Sequence, residues 1–276
     1  MVIQGGGFKT GFSAGVLQAF LSQQYNPFDI YVGVSGGAIA LSYFLSGKEH
    51  ACIEAMLHLT DDNRFLNYKH LLSSKPVMDV DFFREIAEEL TPFDIDHALK
   101  QIEGKTMGIV MTSAETGKPH YHLPSRESWI DALIASSSMP LVTKGAHLIG
   151  EKGFIDGAWS DALPVKWAID QGATDILIVR TTKAEEKAKQ HWLDYFGQLL
   201  HWRKKEIQEM FKNNHLQFNA SLEFIANPPA GISITQIAPE QELSAQQHSN
   251  SSALIKKDYE IGCKIGLEFL SKRKAE

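Results

Sequence analysis

Ser35 lies in a pentapeptide whose residue types could make a serine hydroxyl nucleophilic. The run Gly33-Val34-Ser35-Gly36-Gly37 fits the pattern G-x-S-x-G, in which the serine occupies a tight turn between a strand and a helix and the glycines relieve crowding. Such a turn lifts the hydroxyl clear of the sheet and places it at a helix N-terminus, where N–H groups favour developing negative charge. The alternative is an ordinary glycine-rich turn that holds an inert serine, because three matching positions in five residues also arise by chance.

A nucleophilic serine needs hydrogen-bond donors for the oxyanion, and the run Gly5-Gly6-Gly7 is the candidate. Because it has no Cβ atoms, its backbone could approach a substrate closely and direct N–H groups at one oxygen. A phosphate-binding loop of the form G-x-x-x-x-G-K-[ST] is excluded. With Lys9 as the motif lysine, the two glycine positions hold Phe8 and Ile3. A purely structural turn is the alternative that stays open.

Two kinds of residue could serve as the base for Ser35. Asp156 lies in the run Phe154-Ile155-Asp156-Gly157-Ala158, an apolar strand end followed by a glycine turn, and ligand sites on open sheets lie beyond such strand ends. Its pKa would have to rise from about 3.9 through partial dehydration, and a turn-capping Asp-Gly is the alternative. The histidines that follow Asp156 lie in charged or polar stretches that favour solvated surface positions: His191, His201, His215 and His248.

The elements that would position these residues alternate between strand and helix. Two strand-turn-helix units come first, with strands over residues 1–4 and 28–32 and helices over 10–23 and 38–45. Further helices are predicted over 49–59, 81–90 and 164–171, and further strands over 107–112 and 175–179. This alternation predicts an α/β three-layer sandwich, in which helices cover both faces of a mainly parallel central sheet.

The C-terminal third has a different composition. A long, charged helical run extends over residues 183–213, followed by a loop rich in Asn, Pro and Gly, a strand over 232–237 and a helix over 252–270. A chain of 276 residues, 43% of them hydrophobic, can close one substantial core. We therefore expect a single domain over residues 1–276, with the more helical portion 183–276 as a cap over the site.

Charge and hydropathy narrow the partners and the compartment. The formal net charge of −6 argues against nucleic acid, since a nucleic-acid binder needs a positive field to displace counterions from phosphate. No stretch approaches the roughly 18 to 20 unbroken apolar residues of a membrane-spanning helix, and the N-terminus lacks the pattern of a signal peptide. The sequence predicts a soluble, cytoplasmic protein that needs no metal and no cofactor.

Four separated segments together resemble the patatin-like phospholipases, in their bacterial branch. The glycine run with Lys9 resembles the family's oxyanion loop G-G-G-x-[RK]-G, and residues 33–37 resemble its nucleophile elbow. Residues 135–140, Ala-Ser-Ser-Ser-Met-Pro, resemble its segment A-S-x-A-x-P, and Asp156-Gly157-Ala158 resembles its motif D-G-[GA]. Order and spacing agree over about residues 3–180, and four ordered matches are far more specific than any one of them.

The resemblance implies a patatin-like fold and a catalytic dyad of serine and aspartate that works without histidine. On this chain it makes Ser35 the nucleophile and Asp156 the base. The oxyanion and substrate-binding set that it implies is Gly5, Gly6, Gly7, Lys9 and Gly36. The implied activity is hydrolysis of lipid esters, of the phospholipase A, lysophospholipase or esterase type.

The chain departs from the family pattern at three places. Thr10 stands where the family usually has glycine, and Gly11 follows it, so that a rearranged start of the first helix is expected. Ser138 replaces the usual alanine, which a small pocket would tolerate. The strand before Gly5 is also unusually short.

The sequence does not settle how a substrate would reach the site. Apolar residues recur at helical spacing in the charged run: Trp192, Phe196, Leu199, Leu200, Ile207, Met210 and Phe211. Neighbouring basic residues favour a lid or a membrane-surface helix, whereas an apolar stripe on a helix usually packs on its own core. We expect an acyl-lipid or a small ester as the substrate, with peripheral membrane contact as an open alternative. Two other functions stay open: the protein is a catalytically silent module that binds lipid or protein, or it is a Ser-His-Asp esterase.

Overall fold

The computed structural model describes residues 1–62, 64–66, 77–139, 142–247 and 251–274. The strands are β1 (Val2–Ile3), β2 (Ile30–Val34), β3 (Thr106–Ser113), β4 (Pro119–His122), β5 (His147–Ile149), β6 (Lys152–Asp156), β7 (Asp175–Val179) and β8 (Ser233–Ile237). The helices are α1 (Gly11–Ser22), α2 (Gly36–Leu45), α3 (Ala51–Asp61), α4 (Phe82–Glu85), α5 (Ile95–Gln101), α6 (Trp129–Ser136), α7 (Ala158–Asp161), α8 (Val165–Asp170), α9 (Trp192–Leu200), α10 (Lys205–Ala226) and α11 (Ser252–Arg273). Pro140 and His248 lie outside the described residues.

The described strands form one sheet, hydrogen-bonded along the path β5-β6-β3-β2-β1-β7-β8. Both β2 and β6 pair with one edge of β3, and β4 pairs with its other edge. Five neighbouring strands, β3, β2, β1, β7 and β8, run parallel to one another. The antiparallel pairs are β3 with β4, β3 with β6, and β5 with β6. The prediction of a mainly parallel sheet is therefore confirmed, with an antiparallel part at the edge that carries β6.

Side chains that alternate along the strands build a hydrophobic core on each face of the sheet. In β7, Ile176 and Ile178 join a core that also receives apolar residues of α8 and α10. Leu177 and Val179 join a second core, which receives apolar residues of α1, α2, α3, α6 and α11. Successive strand residues point to opposite faces, so helices cover both sides. The three-layer α/β sandwich expected from the sequence is confirmed.

The boundaries predicted for the helical run over residues 183–213 are wrong. Its first nine residues lie outside helices, and the rest is divided between α9 and α10. The two helices pack closely at Gly197, where a Cβ atom would lie 2.5 Å from the ring of Phe211. The first part of the loop expected after residue 213 is instead helical, since α10 continues to Ala226, and the loop occupies residues 227–232 before β8. Within the helical part, Asn219 makes a tertiary contact. Its side chain bonds the backbone N–H and carbonyl of Ala188 at 2.8 and 3.0 Å.

The C-terminal helix α11 packs along α1, the helix that follows the glycine run. Glycines allow the two backbones to approach closely: a Cβ atom at Gly15 would lie 2.0 Å from the carbonyl oxygen of Tyr259, and one at Gly262 would lie 2.1 Å from that of Phe12. α11 therefore belongs to the same layer of helices as α1, on one face of the sheet. Over the described residues, no helix combines the length and the apolar character needed to cross a membrane.

Candidate active site

Ser35 occupies a sharp turn between β2 and α2. The strand continues to Val34 and the helix begins at Gly36, so the turn is shorter than the five residues predicted from the sequence. Ser35 adopts φ 53° and ψ −131°, a strained conformation for a residue with a Cβ atom, of the kind that concentrates at functional sites. A Cβ atom at Gly37 would lie 2.5 Å from the carbonyl oxygen of Gln4. The glycine therefore allows the turn to pass directly over β1.

The side chain of Asp156 meets the hydroxyl of Ser35 from the other direction. Asp156 is the last residue of β6 and is buried. The Ser35 side chain lies next to its carboxylate, and the N–H of Ala158 donates a hydrogen bond to its Oδ1 at 2.8 Å. Burial raises the pKa of Asp156 to about 6, although the Ser35 side chain and the Ala158 N–H both act in the opposite direction. The dehydration that the sequence argument required of this carboxylate is therefore present.

Ser136 and Ser138, at the end of α6, hold both partners in place. The Ser136 Oγ accepts a hydrogen bond from the N–H of Ser35 at 2.8 Å and donates one to the carbonyl oxygen of Val110 at 2.6 Å. The N–H of Asp156 donates to the carbonyl oxygen of Ser138 at 2.8 Å. Sequence analysis identified this segment only by its family pattern and assigned it no task. Nothing local to the segment reveals that Asp156 lies 18 residues from Ser138 and that Ser35 lies 101 residues from Ser136 in the chain.

The glycine run turns its backbone beside Ser35. Gly6 has φ 149° and Gly7 has φ 54°, values that disfavour residues with a Cβ atom. The amides of Phe8 and Lys9 already donate, at 3.2 Å to the carbonyl oxygen of Gln247 and at 3.1 Å to that of Gly6. Within the described residues, the amides of Gly6 and Gly7 have no protein acceptor, and neither does that of Gly36. Gly6, Gly7 and Gly36 line the same cavity as Ser35.

Thr10 replaces the usual glycine without disrupting the start of α1. A 3₁₀ turn (Gly7–Thr10) precedes the helix, and the Thr10 hydroxyl donates a hydrogen bond to the carbonyl oxygen of Gly7 within it. The rearranged helix start expected from the sequence thus takes the form of this turn. Gly36 lies against it, since a Cβ atom there would lie 2.6 Å from the Thr10 Oγ1.

A buried arginine anchors the strand that leads into the glycine run. Arg180 is fully buried, and its Nε donates to the side-chain oxygen of Gln4 at 2.8 Å. The same oxygen accepts from the N–H of Thr181 at 3.1 Å, and the Thr181 hydroxyl donates to the carbonyl oxygen of Gly5 at 2.5 Å. Sequence reasoning missed this network. A lone Arg-Thr-Thr run after a strand gives no sign that it is buried.

One cavity of about 410 Å³ brings most of the predicted site residues together. Ser35, Asp156, Gly36 and the three glycines of the run Gly5-Gly6-Gly7 line it. Lys9 is half-buried and is not among the described residues of the lining. Apolar side chains from α2, α3, α4 and α6 form one part of the wall, including Ile39, Met56, Leu59, Phe83, Leu133 and Ile134. Polar and charged residues form another part, including Glu186, Lys187, Lys189, His191, Asp194 and Asn214.

The sequence predicted solvated surface positions for the histidines that follow Asp156, but they do not all lie there. His191 is exposed and His215 half-buried, and both line the cavity. The Nδ1 of His215 is buried and has no hydrogen-bond partner among the described residues. His201 is half-buried and stacks on Phe211 with a centroid distance of 5.8 Å. The side chain of Asp156 nevertheless lies next to that of Ser35, and its carboxylate accepts a hydrogen bond from the N–H of Ala158.

Comparison with known protein families shows which family has this combination of sequence and site. The sequence profile of the patatin-like phospholipases matches residues 1–169, which is more than half of the chain and includes the serine turn and Asp156. The chain belongs to the patatin-like phospholipase family. Membership places it among lipid hydrolases. A second profile, described as a domain of unknown function (DUF6363), matches residues 204–275, which include α10 and α11.

Two individual proteins are similar to this patatin-like chain. One, from Escherichia coli strain K12, bears the name "Uncharacterized protein YjjU"; it is 27% identical over 276 residues, which cover 98% of this chain and 76% of that protein. The other is the crystal structure of VipD from Legionella pneumophila, which is 10% identical with a TM-score of 0.44. That alignment covers 97% of this chain and 66% of the Legionella chain, so this chain spans just under two thirds of its length.

Proposed function

We propose that this protein is a serine acyl hydrolase that cleaves lipid esters through a dyad of Ser35 and Asp156. The observation that carries the proposal is that the Ser35 side chain lies next to a buried carboxylate, inside a cavity that the glycine run also lines. A nucleophile placed beside its base is the signature of an activated serine. The mechanism needs no histidine.

The reaction proceeds in two halves. The Ser35 Oγ forms a bond to the ester carbonyl carbon while its proton passes to the carboxylate of Asp156. Collapse of the tetrahedral intermediate breaks the bond to the alcohol, which leaves with the proton from Asp156. Water then attacks the acyl-enzyme and gives a proton to Asp156, and the second collapse returns that proton to Ser35 and releases the fatty acid.

The raised pKa of Asp156 supports its role as a base. An aspartate with a pKa near 3.8 accepts a proton weakly, whereas burial brings the pKa of Asp156 to about 6. General-base catalysis is most effective when the pKa of the base lies near the working pH. At neutral pH the carboxylate is still mostly ionised, so it is both available and more basic than a solvated aspartate.

The amides of Gly6, Gly7 and Gly36 are the proposed donors to the oxyanion. They lie on two turns that flank Ser35 and have no protein acceptor in the described part of the chain. Donors that are already oriented cost no reorganisation when charge develops on the carbonyl oxygen. Lys9 was included in this set from the family pattern, and its contribution would be to the 3₁₀ turn rather than to the substrate.

The two kinds of cavity wall support an amphipathic substrate. The apolar part, from α2, α3, α4 and α6, would hold the acyl chain, and the polar part, from residues 182–194 and 214, would face the head group. Cavities of several hundred Å³ with mostly apolar walls and a few polar groups are typical of sites for small molecules. We therefore propose a single-chain or diacyl lipid ester rather than a small polar ester.

We also propose that residues 1–276 act as one domain, in which the portion 183–276 completes the site. Residues 186–194 and 214–218 contribute to the cavity wall, and α11 packs on α1 through Gly15 and Gly262. The helices of this portion therefore share both the cavity and the core with the rest of the chain. Removal of the portion would expose the apolar faces that α10 and α11 cover.

Covalent labelling and a substrate panel test the proposal. A fluorophosphonate probe should label the protein at Ser35. Ser35→Ala should abolish labelling, while Ser138→Ala, a matched serine outside the cavity wall, should retain it. The protein should hydrolyse p-nitrophenyl esters of long acyl chains and lysophospholipids, and Ser35→Ala should not. A folded protein that takes no label and hydrolyses none of these esters would instead be a lipid- or protein-binding module.

A further inference from the structure

The helix α9 presents its apolar stripe to solvent instead of to the core. Its large apolar side chains recur at the spacing i, i+3, i+4, i+7 and i+8, and between 49% and 70% of each is exposed: Trp192, Tyr195, Phe196, Leu199 and Leu200. A helix on the surface of a globular protein normally buries such a stripe. Trp202, just beyond the helix, is 63% exposed as well.

Two residues of α9 that face the protein, Asp194 and Gly197, are polar or small. Asp194 is only 3% exposed, and its Oδ2 accepts a hydrogen bond from the N–H of His191 at 2.6 Å. Gly197 lies against the ring of Phe211, where no Cβ atom would fit. The orientation of α9 is thus set by Asp194 and Gly197. Packing on its own core, which the sequence left open as the use of this stripe, does not account for the exposed residues.

Exposed basic residues precede and follow the stripe in the chain. Residues 187–205 contain five of them: Lys187, Lys189, Arg203, Lys204 and Lys205. The only acidic residue in this segment is Asp194, which is buried. Four exposed acidic residues flank the segment at its two ends: Glu185, Glu186, Glu206 and Glu209. Within residues 187–205, the segment that contains the stripe, the exposed Lys, Arg, Asp and Glu residues are therefore all basic.

The same segment borders the cavity that contains Ser35. Lys187, Lys189, His191 and Asp194 all line the cavity, and α9 begins at the next residue after His191. A surface that lay on the α9 stripe would therefore lie beside the polar part of the cavity wall.

We propose that the α9 stripe, defined as Trp192, Tyr195, Phe196, Leu199, Leu200 and Trp202, docks on the surface of a bilayer that contains anionic lipid. Aromatic residues favour the interface between head groups and acyl chains, and a helix with an apolar face and flanking basic residues binds in the plane of that interface. A second copy of the chain fits less well, because pairing two stripes would bring two clusters of five basic residues together. Bilayer docking is a separate property from catalysis. Its role rests on the proposed function, because docking would bring the enzyme to the lipid esters that it hydrolyses.

Vesicle binding tests the docking directly. The full-length protein should co-sediment with vesicles of phosphatidylcholine and phosphatidylglycerol, and its tryptophan fluorescence should shift to the blue as Trp192 and Trp202 leave water. The double variant Trp192→Ser with Leu199→Ser should bind at least about tenfold more weakly. Leu148→Ser, which removes an apolar side chain that is 65% exposed on β5, should bind as the wild type does. Lys204→Gln should weaken binding about fivefold, and the matched surface variant Lys272→Gln should not.

The remaining outcomes separate docking from catalysis and from self-association. Ser35→Ala should bind vesicles as the wild type does, so a protein that binds but never hydrolyses would overturn only the proposed activity. The double stripe variant should hydrolyse p-nitrophenyl butyrate at the wild-type rate and vesicle lipid at least about tenfold more slowly. Docking is overturned if the wild type does not bind anionic vesicles, or if the double variant binds them equally well. It is also overturned if light scattering shows a dimer that only the stripe variant dissociates while vesicles stay unbound.

Discussion

Ser35 and Asp156 meet because β2 and β6, which run in opposite directions, end against the same edge of β3. Val34, the last residue of β2, pairs with Val110, and Asp156, the last residue of β6, pairs with Met111. The other edge of β3 is occupied by β4, so β2 and β6 must share this one. The approach of the two side chains is therefore set by the register of a sheet and not by mobile loops. Rigid elements of this kind hold a catalytic pair more accurately than loops do.

The first prediction concerns the carboxylate itself. Asp156→Asn should lower kcat/KM for p-nitrophenyl esters by about 10² to 10⁴-fold, the usual loss when a general base is removed. Because burial raises the pKa of Asp156, its ionisation costs the folded state about 3 kcal/mol above pH 6. The variant should therefore be no less stable than the wild type at pH 8 in urea unfolding.

A matched control for this variant is Asp161→Asn. Asp161 lies one turn further along the chain and accepts a hydrogen bond from the Tyr121 hydroxyl at 2.7 Å. Burial raises its pKa too, but it is not among the residues that line the cavity. Asp161→Asn should keep activity within about fivefold, an expectation of the small effect usual outside a catalytic pair. Near-normal activity of Asp156→Asn would reject the dyad.

The pH profile of kcat/KM should report the ionisation of Asp156. A general base must be unprotonated in the free enzyme, and its pKa is raised to about 6. Activity should thus be constant above pH 7 and fall about tenfold per pH unit below pH 6. The measurement is kcat/KM for an ester whose own reactivity is independent of pH over that range. A profile that stays flat down to pH 4.5 would show that no group with this pKa is needed.

Ser136 should act as a positioning residue for the serine turn. Ser136→Ala leaves the N–H of Ser35 and the carbonyl oxygen of Val110 without their partner, and unsatisfied buried groups cost about 1 to 3 kcal/mol. We expect a similar loss of unfolding free energy and a fall in kcat of about 10- to 100-fold at unchanged KM. Ser138→Ala, which introduces the residue usual in the family, should stay within twofold of the wild-type kcat. A Ser136→Ala variant with wild-type kcat would limit this hydroxyl to a role in stability.

Local sequence features were enough to identify the two proposed catalytic residues. They were not enough to predict that the two side chains lie next to each other. The turn around Ser35 needs glycines at fixed offsets, and the turn after Asp156 follows an apolar strand end, so both leave a mark in neighbouring residues. Their meeting depends on the register of β3, whose partners lie 76 and 45 residues away in the chain. Sheet register across such separations leaves no mark in a single sequence.

The C-terminal portion shows the limit of periodicity. The spacing of apolar residues correctly indicated helix around Trp192 and Phe196, but periodicity does not say which face of a helix is buried. Here Asp194 and Gly197 make the inward contacts, so the stripe is directed outward. Asparagine is typical of turns, and the sequence predicted a loop after residue 213. Asn219 instead lies inside α10, where its side chain is a tertiary hydrogen-bond partner.

Loss of the cavity histidines should leave catalysis largely in place. His191→Ala and His215→Ala, alone and together, should lower kcat/KM for p-nitrophenyl butyrate by less than about fivefold, because the proposed base next to Ser35 is the carboxylate of Asp156. An effect on KM for phospholipids is compatible with their place in the polar part of the wall. A loss of 10³-fold in kcat for either variant would instead indicate a histidine base.

The last prediction concerns the arginine that anchors the glycine run. Arg180 donates to the side-chain oxygens of Gln4 and Gln236 at 2.8 and 2.7 Å and to the carbonyl oxygen of Ala184 at 3.1 Å. Arg180→Met would retain much of the apolar volume but leave these acceptors in part unsatisfied. Urea unfolding should show a loss of about 2 to 4 kcal/mol.

The same change should reach the oxyanion donors through Gln4. Because Gln4 also accepts from Thr181, whose hydroxyl holds the carbonyl oxygen of Gly5, a shift of Gln4 moves the amides that follow. kcat should fall more than KM rises, since donors aimed at the oxyanion act mainly in the transition state. Arg273→Met, at an exposed position of α11, is the matched control and should change neither stability nor kcat. Should Arg180→Met lose stability while kcat keeps its wild-type value, the arginine supports the fold alone and the glycine run is positioned by its own turn.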